Sequence, residues 1–201
     1  MIEIENIPDV EKYLDQIDAV IFDLDDTLYS EKEYVRSGYR KIADWLHKPE
    51  VEERLWEVFL RGGKALDEVL DTKDVKEALA IYRHQKPDIH LYPGVAEMLY
   101  RIRKTKKIGM ITDGRPEGQH AKLDALGIRS YFDEIIITDE MGGVQFRKPN
   151  PKAFREMQAR MERPFERMCY VGDNPGKDFI APEQLGMRAI YFRNPDGLYT
   201  V

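Results

Sequence analysis

Ala19-Val20-Ile21-Phe22-Asp23-Leu24-Asp25-Asp26-Thr27 is a short apolar run that ends abruptly in acid. Four successive apolar residues with β-branched members read as a strand buried on both faces. The acidic residues then fall where the strand opens into a loop. Asp23 and Asp25, spaced i, i+2, would face one crevice there, and their mutual repulsion calls for a cation, a proton or strong hydrogen-bond donors. An Asp-rich turn that caps its own backbone would leave the same trace.

Similar runs recur at Ile108–Thr112, Glu134–Thr138, Met168–Val171 and Ala189–Phe192. Val95–Arg103, Gln119–Leu126 and Lys152–Met161, which lie between them, carry apolar residues at helical spacing. This alternation predicts an α/β fold: a Rossmann-like, doubly wound parallel sheet with its ligands at the carboxyl ends of the strands. Residues 1–18 read as a short helix leading into the first strand. From Ser30 to about Asp88 the alternation stops, and EKEYVRSGYRKIADWL, Pro49–Leu60 and Asp74–His84 are patterned as helices. We therefore expect an α/β core of residues 1–29 and 89–201, with an inserted α-helical subdomain over 30–88. Its exits are Thr27–Ser30 and Lys86–Pro93, where Pro87 and Pro93 punctuate the chain. Tyr34, Tyr39, Trp45, Trp56 and Phe59 read as the core of that insert.

Composition narrows the function classes. The chain of 201 residues is 42% hydrophobic and 34% charged, ordinary values for one globular core with a small insert. No apolar run approaches the ~20 residues of a bilayer-spanning helix. The acidic start, MIEIENIPDVEKYLDQ, lacks the pattern of a signal peptide, and a single Cys forms no internal disulfide, so a reducing, cytoplasmic setting is expected. With 31 basic and 37 acidic residues the net charge is −6, which argues against a broad nucleic-acid or acidic-membrane surface. His47, His84, His90 and His120 lack a paired metal-ligand spacing, and Cys169 lies within an apolar strand, so neither zinc nor thiol chemistry is expected. The Gly-Lys pair of Gly172–Asp178 is one residue short of a P-loop, and Asp178 stands where Ser or Thr would bind the metal.

The other strand ends carry polar groups too. The second strand ends in Thr112-Asp113-Gly114. The third is followed by Phe146-Arg147-Lys148-Pro149-Asn150-Pro151, just before a helix beginning near Pro151. The fourth delivers Gly172-Asp173-Asn174-Pro175-Gly176-Lys177-Asp178. Each alone is ordinary turn or helix-start chemistry. Together, Asp23, Asp25, Asp173 and Asp178 with Lys148 and Thr112 supply oxygen ligands for Mg²⁺ and a cation and a hydroxyl for phosphate oxygens.

In these four motifs, over roughly Ala19–Phe192, the chain resembles the haloacid dehalogenase (HAD) superfamily phosphohydrolases, with a helical cap inserted after the first motif. The resemblance implies that Asp23 is a nucleophile that becomes an aspartyl phosphate. It implies that Asp25 is the acid that protonates the leaving oxygen and then activates water. Thr112 and Lys148 would hold the phosphoryl group. Asp173, the Asp23 carboxylate and the Asp25 main-chain carbonyl would ligate Mg²⁺, and Asp178 would support the metal waters or orient Lys148. Burial under the cap should raise the pKa of Asp25 for proton donation. The dehalogenases of the superfamily lack that second carboxylate, which disfavours dehalogenation. Pro182 falls where the family usually runs a helix, so that helix is expected to be kinked or to start near Pro182.

Tyr29 and Arg115 are candidates for substrate contact. The expected partner is a small phosphorylated metabolite, a sugar phosphate or a nucleoside monophosphate, and the expected state a monomer or a homodimer. A phosphotransferase such as a phosphomutase would use the same aspartyl phosphate. A non-catalytic phospho-acceptor would share Asp, Mg²⁺, Thr and Lys but would lack the partner carboxylate and the cap. After the fifth strand the chain stops at Tyr199-Thr200-Val201, leaving room for at most a very short further element.

Overall fold

The computed structural model describes residues 1–198, so the expectation for the chain end at Tyr199–Val201 lies outside the described residues. In chain order the elements are β1 (Ile2–Ile4), β2 (Ala19–Phe22), α1 (Glu31–Leu46), α2 (Glu50–Leu60), α3 (Ala65–Val69), α4 (Thr72–Arg83), α5 (Val95–Ile102), β3 (Lys107–Thr112), α6 (Pro116–Leu126), β4 (Glu134–Ile137), α7 (Lys152–Met161), β5 (Met168–Gly172), α8 (Ile180–Leu185) and β6 (Arg188–Phe192). No helix among the described residues is long and apolar enough to cross a membrane.

The strands form one parallel six-stranded sheet in the order β1-β6-β5-β2-β3-β4. Every residue of β2 and β5 is buried. One apolar layer packs Val20 and Phe22 with Val95, Leu99 and Leu123. The opposite layer packs Ile21 and Tyr170 with Phe154 and Met157. Burial on both faces explains why these strands read as unbroken apolar runs.

The reading of residues 1–18 needs correction. Ile2–Ile4 is a sixth strand at the sheet edge, paired in parallel with β6 through Ile2↔Ile190 and Ile4↔Phe192. Only Ile7–Tyr13 is helical, as a 3₁₀ segment. Ile-Glu-Ile is too short for a periodic signal, and its partner lies at the far end of the sequence.

Between β2 and α5 the helices α1–α4 enclose a separate apolar cluster that includes Tyr39, Ile42, Leu55 and Val58. The chain enters and leaves this block side by side, with an antiparallel bridge between Tyr29 and Leu91 and a bond from Tyr92 N to Leu28 O of 2.9 Å. Asp26 adopts φ +52°, and its carboxylate accepts bonds from Glu31 N and Leu198 N, each 2.8 Å. Pro182 is the third residue of α8, inside the first turn, where helical N–H groups have no intrahelical partner anyway.

β2 lies between β5 and β3, so the ends of these three strands converge. A Cβ on Gly172, the last residue of β5, would stand 2.6 Å from Asp178 Oδ2. Glycine here allows the following turn to fold back on the strand. Gly172→Ala is therefore expected to cost about 1–3 kcal/mol and to lower the melting temperature by roughly 3–10 °C. Thermal unfolding followed by circular dichroism checks this; an unchanged midpoint would show that the Asp178 turn yields freely.

Candidate active site

Asp23 directly follows β2, and its N–H reaches Val171 O at 2.8 Å, extending the ladder by one residue. Its carboxylate is 2% exposed and lies 2.8 Å from Lys148 Nζ. The same ammonium lies 2.9 Å from Asp178 Oδ1 and donates to Tyr170 OH at 2.9 Å. Burial disfavours a charge on Lys148, yet Asp178 and Asp23 outweigh it and hold the pKa well above the ordinary lysine value. Asp178 Oδ2 accepts the Asn174 N–H at 2.9 Å. Thr27 Oγ1 donates to Asp173 Oδ1 at 3.4 Å. Carboxylate oxygens of Asp23, Asp173 and Asp178 come within 4.8 Å of one another, all three residues being buried.

The Asp25 carboxylate stands outside this cluster. Lys122 Nζ donates to its Oδ1 at 2.7 Å, and Gln119 Nε2 to its Oδ2 at 3.1 Å. The buried Tyr29 hydroxyl also donates to Oδ1. Burial alone would raise the pKa of Asp25, but the charge of Lys122 and the three donors prevail and leave it below the usual carboxylate value. The expectation of a raised pKa is thus overturned, because α6 supplies a buried cation that the residue pattern of the first motif does not announce.

The turn after β3 divides its residues between roles. Thr112 is fully buried, and its hydroxyl accepts from Gln119. Asp113 organises the neighbouring loop: its Oδ1 accepts from Thr138 Oγ1 at 2.8 Å and from Lys148 N at 3.1 Å, and its Oδ2 lies 3.7 Å from Lys177 Nζ. Arg147 turns to Asp139 through two bonds of 2.7 Å. Arg115 is exposed on the wall of a cleft of about 500 Å³ between the helical block and the core. Glu31, Tyr34, Tyr82 and Arg83 form its upper wall, and Asp25, Lys122, Lys148 and Asp173 lie below. Burial and the nearby Asp25 charge push Glu31 up to about 7.

Sequence reasoning singled out Asp23, Asp25, Lys148, Asp173 and Asp178, and the structure brings all five to one sheet edge. Arg115 reaches the cleft wall, while Thr112 and Tyr29 lie beneath it, bound to Gln119 and Asp25. Asp113, Gln119, Lys122 and Glu31 were missed. The polar pair at i, i+3 on the helix that follows Thr112-Asp113-Gly114 was the available signal for two of them.

A family model described as haloacid dehalogenase-like hydrolase matches residues 17–186. The chain belongs to that family. It is 31% identical to the glyceraldehyde 3-phosphate phosphatase of Methanopyrus kandleri over 88% of this chain and 84% of that one. Among solved structures, the 2-haloacid dehalogenase of Pseudomonas syringae is similar with a TM-score of 0.62 and 26% identity, over 87% of this chain and 86% of that one. The Bacillus subtilis HAD-hydrolase YfnB, bound to magnesium, shares the fold with a TM-score of 0.64 and 20% identity, covering 87% and 86%.

For a HAD-like hydrolase the acidic cluster fits a hard divalent cation, since it offers oxygen donors alone. Burial, reinforced by Asp23 and Asp178, pushes Asp173 up to about 9, and burial likewise raises Asp23. The folded, metal-free protein therefore holds protons that the unfolded chain has released above about pH 4. The contribution of Asp173 to stability is present below that pH and is lost as pH rises toward 9. A cation competes for the same oxygens, so the stabilisation by Mg²⁺ over chelator should widen between pH 5.5 and 8.5. Melting curves at several pH values check this, and a gap that is constant or narrows with pH would contradict it.

Proposed function

We propose that this HAD-like hydrolase is a Mg²⁺-dependent phosphatase. In this reading it hydrolyses a small phosphomonoester, a sugar phosphate or a nucleoside monophosphate, through an aspartyl phosphate on Asp23. The observation that carries the reading is the pairing of Asp23 with an anchored cation, Lys148 Nζ at 2.8 Å, while a second carboxylate two residues on faces the cleft.

A carboxylate attacks a phosphate only where charge repulsion is offset, and Lys148 supplies part of that offset without reorganising. Asp23, Asp173 and the main-chain carbonyl of Asp25 would hold Mg²⁺, with Asp178 acting through Lys148 and Asn174. When bound, the metal adds charge neutralisation at the phosphoryl oxygens. The lone pair of Asp23 forms the new O–P bond as the ester P–O bond breaks, and Asp25 gives the leaving oxygen its proton. In the second half Asp25 takes a proton from water, whose oxygen attacks phosphorus and frees Asp23 and inorganic phosphate. The Asp25 Oδ2 atom, bonded to Gln119 alone among the described residues, has room for that proton. An incoming phosphate anion raises the proton affinity of Asp25, the direction that donation requires.

Residues 30–88 act as a cap in this reading, and Arg115 and Tyr29 act on the substrate side, the latter through Asp25. The cleft of about 500 Å³ suits a small ester. Similarity to a glyceraldehyde 3-phosphate phosphatase over most of both chains makes three-carbon phosphates the first substrates to try. A cytoplasmic setting, with metabolites and Mg²⁺ at hand, belongs to the same reading. Asp25 also argues for phosphate over halide chemistry, because halide departs without a proton.

The test is phosphate release from a panel of sugar phosphates and nucleotides, with Mg²⁺ or chelator. Metal-dependent release is expected, and Asp23→Asn should lower it by at least about 10³-fold. Release that survives Asp23→Asn, or none from the native protein, would refute the reading.

A further inference from the structure

The phosphatase reading gives no role to the buried charge of Lys122. Lys122, on the core helix α6, is 5% exposed, an uncommon environment for lysine unless it is paired. Its ammonium lies 2.7 Å from Asp25 Oδ1 and 4.4 Å from the ring centroid of Tyr34, which α1 brings down from the helical block. Gln119, one turn earlier on the same face, holds Oδ2 at 3.1 Å. One core helix thus grips both oxygens of Asp25, and an aromatic ring of the block covers the grip. Such a pair is costly to bury and adds little stability over an apolar one, so its use lies in geometry.

We propose that Lys122 is a positioning residue, which fixes the Asp25 carboxyl toward the leaving group and, through Tyr34, makes that placement depend on the seating of the helical block. The inference rests on the phosphatase reading. Proton donation by Asp25 matters in proportion to the basicity of the departing oxygen. An alkyl phosphate needs it, whereas 4-nitrophenyl phosphate, whose phenolate leaves unaided, needs it far less. The ratio kcat/KM covers only the steps through loss of the first product, so hydrolysis of the shared phosphoenzyme drops out.

The experiment compares kcat/KM for 4-nitrophenyl phosphate and for the best alkyl phosphate of the panel, with Mg²⁺, in the native protein, Lys122→Met, Lys122→Arg and Tyr34→Leu. Lys122→Met should lose about 100-fold on the alkyl ester and about tenfold or less on the aryl ester. Lys122→Arg should recover most of the alkyl activity, and Tyr34→Leu should shift the ratio the same way by a smaller factor. Equal losses on both esters, or no loss, in variants that melt near the native temperature would overturn the proposal. If Lys122→Met does not fold, Lys122→Gln is read by the same ratio. Native protein inactive on every ester would instead bring down the phosphatase reading itself.

Discussion

The Lys148 ammonium lies 2.8 Å from Asp23 and 2.9 Å from Asp178, on a side chain with no exposed surface. Charges this deeply buried cannot be satisfied one at a time: removing any one leaves the others uncompensated. The sheet order meets this need. Register between β2 and β5 pairs Phe22 with Val171, which sets Asp23 beside Gly172 and lets the Asp178 turn close over a residue without a side chain. Lys148 arrives from the far side of β3, its own N–H fixed by Asp113 at 3.1 Å. Asp113 in turn takes a bond from Thr138, next to the end of β4. The ion cluster thus ties the ends of β2 and β5 to the loop before α7, and Asp113 extends the tie to the ends of β3 and β4.

Asp23 and Asp25 share a loop, yet their surroundings drive them apart. Burial raises Asp23 against the pull of Lys148, while Lys122 and two further donors lower Asp25 despite its burial. Without a bound cation or phosphate these directions are the reverse of what the proposed nucleophile and proton donor need, and both ligands act to correct them. The two environments are made by different elements: the loop before α7 serves Asp23, and α6 serves Asp25. A substitution on α6 can therefore disturb the second carboxylate without touching the ion cluster.

What the sequence made legible and what it hid have the same physical origin. Ala19–Phe22 and Met168–Gly172 are buried on both faces, and such strands advertise themselves as apolar runs. Polar residues just beyond them stand out against that background, which is why Asp23, Asp173 and Asp178 could be placed at the sheet edge. Ile2–Ile4 has a partner on one side only, and nothing local records its pairing with residues 190–192. Lys122 and Gln119 face inward from a helix whose inner face is partly polar. Hydrophobic periodicity reads inward-facing polar residues as solvent-facing, so the environment of Asp25 was misjudged even though its position was right.

The turn that presents Asp25 also sets the cleft's upper wall. Asp26, one residue on, takes a left-handed conformation and caps Glu31 N at 2.8 Å, fixing where α1 begins. Glu31 and Tyr34 follow from that start on the cleft wall, with the Tyr34 ring 4.4 Å from the Lys122 ammonium. Tyr29, between Asp26 and Glu31 in the chain, bridges both to Asp25 and to Leu91, where the chain leaves the block. Any rotation of the block about this crossing moves Tyr34 relative to the Lys122 ammonium and Glu31 relative to Asp25. Glu31 is pushed up to about 7 partly by Asp25, so its charge depends on the same spacing. The charge of Glu31 thus depends on how the block sits, whereas that of Asp25 is set by α6 and Tyr29 and that of the Asp23 cluster by the sheet.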